Sequence, residues 1–201
     1  MKDDQRQIEK TLIAIKPESI QRHLIGELIN KFEKRGLKMV ACKMVAPTEK
    51  QVKEHYPDDK EWYVSSGTKT WNNYKDKGIT PPGTPIELAK RTRTRLIEHL
   101  TNRPIILMIW SGPHAVALGR KTAGATNPLI ADIGSIRGDY SLESYELADD
   151  LDRVVHTLIH ASGSVSEAQE EIKIWFRENE ILDYDLVTET VFYDKDWGRI
   201  K

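Results

Sequence analysis

Short β-rich apolar runs alternate along this chain with stretches whose apolar positions recur every three or four residues. Thr11 to Ile15 predicts a strand, which Lys16-Pro17 ends after a polar tail over residues 1 to 9. Pro17 has no N–H to lose and suits the first turn of a helix. Ile20, Leu24, Leu28 and Phe32, with Ile25 and Ile29 beside them, form one helical face, and Gly36 stands where such a helix closes. Leu37 to Ala46 alternates as a second strand. Thr48 predicts the cap of a short helix that runs through Val52 to Tyr56 and is broken by Pro57-Asp58-Asp59. Thr84 or Pro85 opens a helix carrying Ile86, Leu88, Ala89, Leu96, Ile97 and Leu100, whose other face is basic with Lys90, Arg91, Arg93 and Arg95. Ile105 to Trp110 is apolar enough for a strand buried on both faces.

Gly112-Pro113 turns into a helix from Ala115 to Thr122. Residues 124 to 138 lack periodicity and predict a long ordered loop, followed by an acidic surface excursion that reaches Asp152. Arg153 to Ile159 predicts the strand that delivers His160 to the slim residues Ala161-Ser162-Gly163-Ser164. Ser164 and Glu167 predict an S-x-x-E capping box. It opens a helix to Phe176, with Val165, Ala168, Ile172 and Trp175 as its buried stripe. Asp185 to Tyr193 alternates and suggests a final strand or extended arm. Strands and helices in this order favour an α+β sandwich of the βαββαβ type. The reading is one domain over residues 1–201, with enlargements at about 57–102, a helical lid or rim, and 141–152.

The totals narrow the functional classes. A chain of 201 residues with net charge −1 indicates no general attraction to nucleic acid or an anionic membrane. Cys42 is the single cysteine, which leaves no internal disulfide and fits a reducing, cytoplasmic setting. The first residues are too polar for a signal peptide, and no apolar run approaches the ~20 residues of a membrane span. The chain has no G-x-x-x-x-G-K-[ST] and no kinase-type glycine loop. What it offers instead is an imidazole at a strand exit, with Glu167 and Glu171 one helical turn apart. Either carboxylate could reach back and fix the tautomer. Arg120 and Arg137 are guanidiniums able to grip phosphate oxygens, and Thr126 adds a hydroxyl.

The segments H-A-S-x-S at His160, G-x-T-N-P at Gly124 to Pro128, I-R-G-D-Y at Ile136 to Tyr140 and Ile15-Lys16-Pro17 resemble the nucleoside diphosphate kinases, in the right order from about Thr11 to Tyr193. The resemblance implies a ferredoxin-like core with a four-stranded antiparallel sheet. It also implies transfer of the γ-phosphate of ATP to nucleoside diphosphates through a phosphohistidine at His160, with Mg2+ held mainly by phosphates and water. On it Glu171 orients the imidazole and Ser162 supports that network. Arg120, Thr126 and Arg137 bind phosphate, and Lys16 contacts the sugar hydroxyl and the transferred group. Tyr56 stands beside that lysine, and Trp62, with Tyr63 close behind, is the choice for stacking on the base. Two positions depart from the family pattern. Thr157 stands where asparagine usually contacts the sugar, and Gly163 where aspartate is associated with magnesium; Asp58 matches another acidic position near the metal. Family members are commonly hexamers or tetramers, so a homo-oligomer is expected. The runner-up is a non-catalytic relative binding nucleotide or a partner. An RNA-binding sheet ranks last, because the central strands are aliphatic.

Overall fold

The computed structural model describes residues 8–76 and 78–199. Strands β1 (Ile8–Ile15), β2 (Lys38–Val45), β3 (Ile105–Pro113) and β4 (Ile159–Ala161) form one sheet in the order β2-β3-β1-β4, each neighbouring pair antiparallel. This is the expected ferredoxin-like order. Between β1 and β2 lie α1 (Pro17–Gln21) and α2 (Ile25–Glu33); between β2 and β3 lie α3 (Glu49–His55), α4 (Lys60–Asp76) and α5 (Pro85–Leu100). Before β4 come α6 (Ala115–Ala123), α7 (Ile136–Tyr140) and α8 (Tyr145–Asp150), and after it α9 (Val165–Trp175) and α10 (Glu189–Tyr193).

Strand alternation sorts the core into two layers. Leu12 and Ala14 of β1 face Val52 of α3, Leu96 and Leu100 of α5, and Ile172 and Trp175 of α9. Ile13 and Ile15 face the opposite way, onto Leu28 and Phe32 of α2 and Ala115 and Ala123 of α6. There Phe32 stacks on Trp110 of β3 with ring centroids 5.4 Å apart. Ile159 and Ala161 of β4 belong to that second layer, while His160, paired with Ala14, is turned to the face that α3 and α9 cover. The two-residue period of one short strand therefore decides which helices can meet the imidazole.

Several local expectations are corrected. The helix expected through residues 17 to 32 is two helices. His23 takes a left-handed conformation (φ 56), and the Leu24 and His23 N–H groups close α1 onto Ser19 and Ile20 carbonyls, as a glycine stop would. Gly36 closes α2 in the same way, as expected (φ 84). Of the strand expected at 153–159 only Ile159 joins the ladder, which runs on through Ala161 and so places His160 within the strand and not at its exit. Leu158 has φ 65, and Ile159 N–H turns back onto the Thr157 carbonyl at 2.7 Å, so the chain cannot continue the ladder there. Residues 185–193 form turns and α10, not a strand. Just before it, Leu182 N–H gives the edge strand β2 a backbone bond on the Val40 carbonyl (2.8 Å), and the chain then folds away. The loop of residues 124–138 contains a 3-10 turn at Pro128–Ile130 and the start of α7. Its Gly138 is obligatory, because a Cβ there would lie 2.1 Å from the Asp132 carbonyl oxygen. Ile8 and Glu9 of the expected tail begin β1, and residues 1–7 lie outside the described residues. The stretch from residue 57 to 102 is largely two helices, α4 and α5, packed on each other.

Candidate active site

His160 stands at the centre of β4 with its side chain 16% exposed. Its Nε2 lies 2.7 Å from Glu171 Oε1, a contact short enough for a hydrogen bond although off its ideal line. Glu171 is one helical turn past Glu167 on α9, and of the two it is Glu171 that α9 turns inward, buried at 5% exposure. Its other oxygen accepts from Ser162 Oγ at 2.6 Å, and that hydroxyl accepts from the Leu12 backbone N–H at 3.1 Å. Burial opposes charge on Glu171, but His160, His55 and the Ser162 hydroxyl outweigh it and hold the carboxyl down to about 2. Glu171 is therefore an ionised acceptor for one ring nitrogen, which leaves Nδ1 as the nitrogen free to act.

Glu167 takes a different part. The Ser164 hydroxyl caps α9 through the Glu167 N–H as expected, but the Glu167 carboxylate passes over Ser164 to accept from the Gly163 N–H at 3.0 Å. Burial and then Glu171 push this carboxyl up. Gly163 makes room for it, since a Cβ there would lie 2.5 Å from Glu167 Oε2. A side chain at 163 would require the Glu167 carboxylate to leave the Gly163 N–H.

A cleft of about 370 Å³ opens beside His160. Lys16, Tyr56, Trp62, Arg120, Thr126, Arg137 and Thr157 all line it, so the structure gathers every proposed binding residue onto one cleft. Arg120 and Arg137 grip the backbone on either side of the histidine: Arg120 Nη1 donates to the Ala161 carbonyl at 3.3 Å, and Arg137 Nη2 to that of Ile159 at 2.6 Å. Arg137 also donates through Nε to Thr157 and through Nη1 to Gly124, at 3.0 and 2.6 Å. Three of its five N–H groups are thus committed to the protein. Burial, and then Arg120, lower it to about 10, still a cation at neutral pH. Lys16 Nζ donates to Thr157 Oγ1 at 2.7 Å, and burial brings that amine down to about 8. Tyr56 is buried, which raises its phenol, and its ring meets Trp62 edge-on at 6.2 Å. Between the two aromatic candidates, Trp62 lines the cleft and Tyr63 does not; the Tyr63 hydroxyl donates to Asp58 at 2.7 Å and turns that carboxylate away as well.

Sequence reasoning missed His55. This buried residue of α3 accepts from Trp175 Nε1 at 3.2 Å and sets its ring edge-on to His160, centroids 4.6 Å apart. Burial first, and His160 second, push it down to about 3, so it is neutral. No periodicity marks it, because its partners come from β4 and α9. Arg95 was visible only as one of a basic run, yet it lines the cleft and donates to Asp149 and Asp152. Tyr74 of α4 also donates to Asp149 of α8, so the two enlarged stretches are fastened to each other along one wall of the cleft.

The family model for nucleoside diphosphate kinase matches residues 9–68 and 87–181, leaving out only the end of α4 and the turn into α5 between them. A nucleoside diphosphate kinase of Pyrobaculum aerophilum is 44% identical over 181 residues, 88% of this chain and 99% of that one. The human nucleoside diphosphate kinase B is 33% identical over 88% of this chain and 91% of its own length. Among solved structures, an NDP kinase from P. aerophilum superposes with a TM-score of 0.82 at 42% identity, covering 88% of this chain and all of that one. A kinase from Borrelia burgdorferi, solved as a transition-state mimic with vanadate and ADP, has a TM-score of 0.74 at 32% identity, over 92% of this chain and 96% of that one. With the sheet order, the histidine–glutamate contact and the guanidinium-lined cleft already in place, this chain belongs to the nucleoside diphosphate kinase family of phosphotransferases.

Proposed function

We propose that His160 is the phosphoryl carrier of a ping-pong reaction between ATP and a nucleoside diphosphate. The observation that carries this reading is the 2.7 Å approach of Glu171 to Nε2, which leaves the Nδ1 lone pair for the cleft. Nδ1 attacks the γ-phosphorus in line; the Nδ1–P bond forms as the bond to the β-phosphate oxygen breaks, and that oxygen keeps the electron pair. The Nε2 proton stays on the ring beside Glu171, whose negative charge balances the positive charge the ring acquires. Arg120, Arg137 and Thr126 stabilise the equatorial oxygens, and Lys16 holds the transferred group and sugar. The Thr157 hydroxyl accepts from Lys16 and keeps its own O–H to donate toward the sugar. The base lies on Trp62 with few edge contacts, which suits acceptance of any nucleobase. A nucleoside diphosphate then enters the same cleft and reverses the step.

The donor set fits Mg2+. Of the carboxylates lining the cleft, Asp149 is tied to Tyr74 and Arg95, and Glu167 at Gly163 is the one nearer the histidine. Bound magnesium would neutralise phosphate charge, held by the nucleotide, water and at most Glu167. Exposed apolar side chains at Leu129, Ile130 and Ile133, the last 94% exposed, support a homo-oligomer of the tetramer or hexamer kind, which light scattering would measure. No helix among the described residues is long and apolar enough to cross a membrane. The exposed, unpaired Cys42 supports a reducing compartment, the cytoplasm. One domain, with both enlarged stretches serving the same cleft, is the organisation this reading uses.

The test is incubation with γ-labelled ATP. Acid-labile, base-stable label on His160, discharged by GDP and lost in His160→Ala, is the expected result; undiminished label in His160→Ala overturns the proposal.

A further inference from the structure

The strained residue nearest the chemistry is Leu158, two positions before His160. It is not a glycine, yet it has φ 65, and it sits at the middle of a three-residue turn closed by Ile159 N–H on the Thr157 carbonyl. Turns of this kind with positive φ are rare and costly for a branched residue. Something must hold it. The Leu158 side chain is buried, and its backbone is gripped from both sides by the first turn of α1. Its carbonyl accepts from Lys16 N–H at 3.0 Å and from Ser19 Oγ at 2.7 Å. Its N–H donates to Glu18 Oε1 at 2.9 Å. The other Glu18 oxygen lies 2.9 Å from His99 Nε2 on α5, with both side chains under 10% exposed. The His99 ring stacks on His156, in the same approach to β4, with centroids 4.9 Å apart.

What lies on either side of Leu158 explains why this matters. Thr157 holds Lys16 through its hydroxyl and Arg137 through its carbonyl, and Ile159 holds Arg137 through its own carbonyl. The position of the phosphate-gripping guanidinium relative to His160 is therefore set by the shape of the turn between these two carbonyls. Glu18 does not line the cleft, and both its carboxylate oxygens are engaged away from it, by the Leu158 N–H and by His99. We propose that Glu18, braced by His99, is a positioning residue for phosphotransfer: it pins Leu158 in its left-handed turn and so fixes the register between Arg137, Lys16 and the His160 imidazole. Without an acceptor for that buried N–H, the turn relaxes toward extended backbone and the two carbonyls that seat Arg137 swing apart. Because His99 belongs to α5, which also carries Arg95 into the cleft wall, the same link ties this turn to the enlarged region.

This rests on the phosphohistidine reading, and the experiment separates the two. Wild type, Glu18→Gln, Glu18→Met and His99→Ala are phosphorylated with γ-labelled ATP under single-turnover quenching, with each rate expressed per phosphorylatable chain. Glutamine keeps an acceptor for Leu158 N–H and methionine has nearly the same volume without one. Glu18→Gln is expected within threefold of wild type. Glu18→Met should lose about tenfold to a hundredfold in the phosphorylation step while still reaching a full label endpoint, as small displacements of positioning groups do. His99→Ala should fall between them. A purely structural glutamate would lower the labelled fraction or the melting temperature and leave the per-site rate alone. A Glu18→Met rate within threefold of wild type, or an equal loss in Glu18→Gln, overturns the proposal. If Glu18→Met does not fold, the ordering wild type, Glu18→Gln, His99→Ala decides it, and no loss in His99→Ala overturns it. Absence of label from wild-type His160 would instead sink the phosphohistidine reading.

Discussion

Replacing Glu171 by glutamine removes one charge without opening a cavity, and its effect can be worked from the geometry. The amide oxygen can still face His160 Nε2. The amide nitrogen then donates to Ser162 Oγ, whose hydroxyl turns to the Leu12 carbonyl 3.3 Å away, so the polar network stays satisfied. What disappears is the negative charge 2.7 Å from Nε2, worth about 6 kcal/mol between full charges at an effective dielectric of about 20. Much of that attraction is offset by the solvation the carboxylate gave up. The surplus of a charged over a neutral hydrogen bond, about 1–2 kcal/mol, is what the phosphorylated ring draws on as it becomes positive. The expected result is a loss of roughly fivefold to thirtyfold in the His160 phosphorylation rate, read by rapid quench with γ-labelled ATP, with little change in apparent ATP affinity. A rate within threefold of wild type, or a defect confined to KM, refutes the assignment of Glu171 as the group that balances ring charge.

Four further outcomes follow from the same structure. Glu171 is held at about 2 against an ordinary 4.5, so its contribution to stability is complete above pH 4.5 and is lost as pH falls toward 2. Glu171→Gln should accordingly flatten the acid limb of urea-measured stability by on the order of 3 kcal/mol. Lys16, brought down by burial from 10.5 to about 8, binds fewer protons folded than unfolded between those values, so stability rises with pH across that window while the cation facing the nucleotide is lost. The KM for ATP should climb above pH 8, and Lys16→Met should abolish that limb. Asp149→Ala unfastens Tyr74 and Arg95 from α8. Hydrogen exchange of residues 145–150 should quicken while the melting temperature barely moves, because such exposed pairs add little stability. Phe32→Ala removes a fully buried ring stacked on Trp110 and should cost about 3–5 kcal/mol in chemical denaturation.

The Gly36 stop and the Thr48 and Thr84 caps are local signals that hold in the structure, whereas the Ser164 capping box forms only its Ser164 half. Gly36 closes α2, and Thr48 and Thr84 open α3 and α5 with reciprocal capping boxes. These depend on three or four neighbouring residues, which is all that sequence inspection sees. Wherever a long-range partner overrode the local pattern, the reading failed. Arg153 to Leu158 carries strand-like residues, but Glu18, Ser19 and Arg137 take the backbone groups that a neighbouring strand would have used. Alternation at 185–193 goes unused because the preceding Leu182 and Tyr184 dock on the edge of β2, and the segment itself, tied there by the Lys38–Glu189 ion pair, coils into α10.

The order of apolar periods by itself determined the βαββαβ sandwich, since strand and helix repeats differ and each element must bury its own face. The motif residues, taken by resemblance, named the histidine and its cationic companions. Only the tertiary structure decided which of two glutamates, a single turn apart, meets the imidazole. It also brought His55 and Glu18 into the arrangement and fastened the enlarged stretches along the cleft. Such choices turn on residues far apart in the chain: Glu18 and Leu158 are separated by 140 positions. Their meeting is fixed by sheet register and helix docking, for which no local pattern exists to be read.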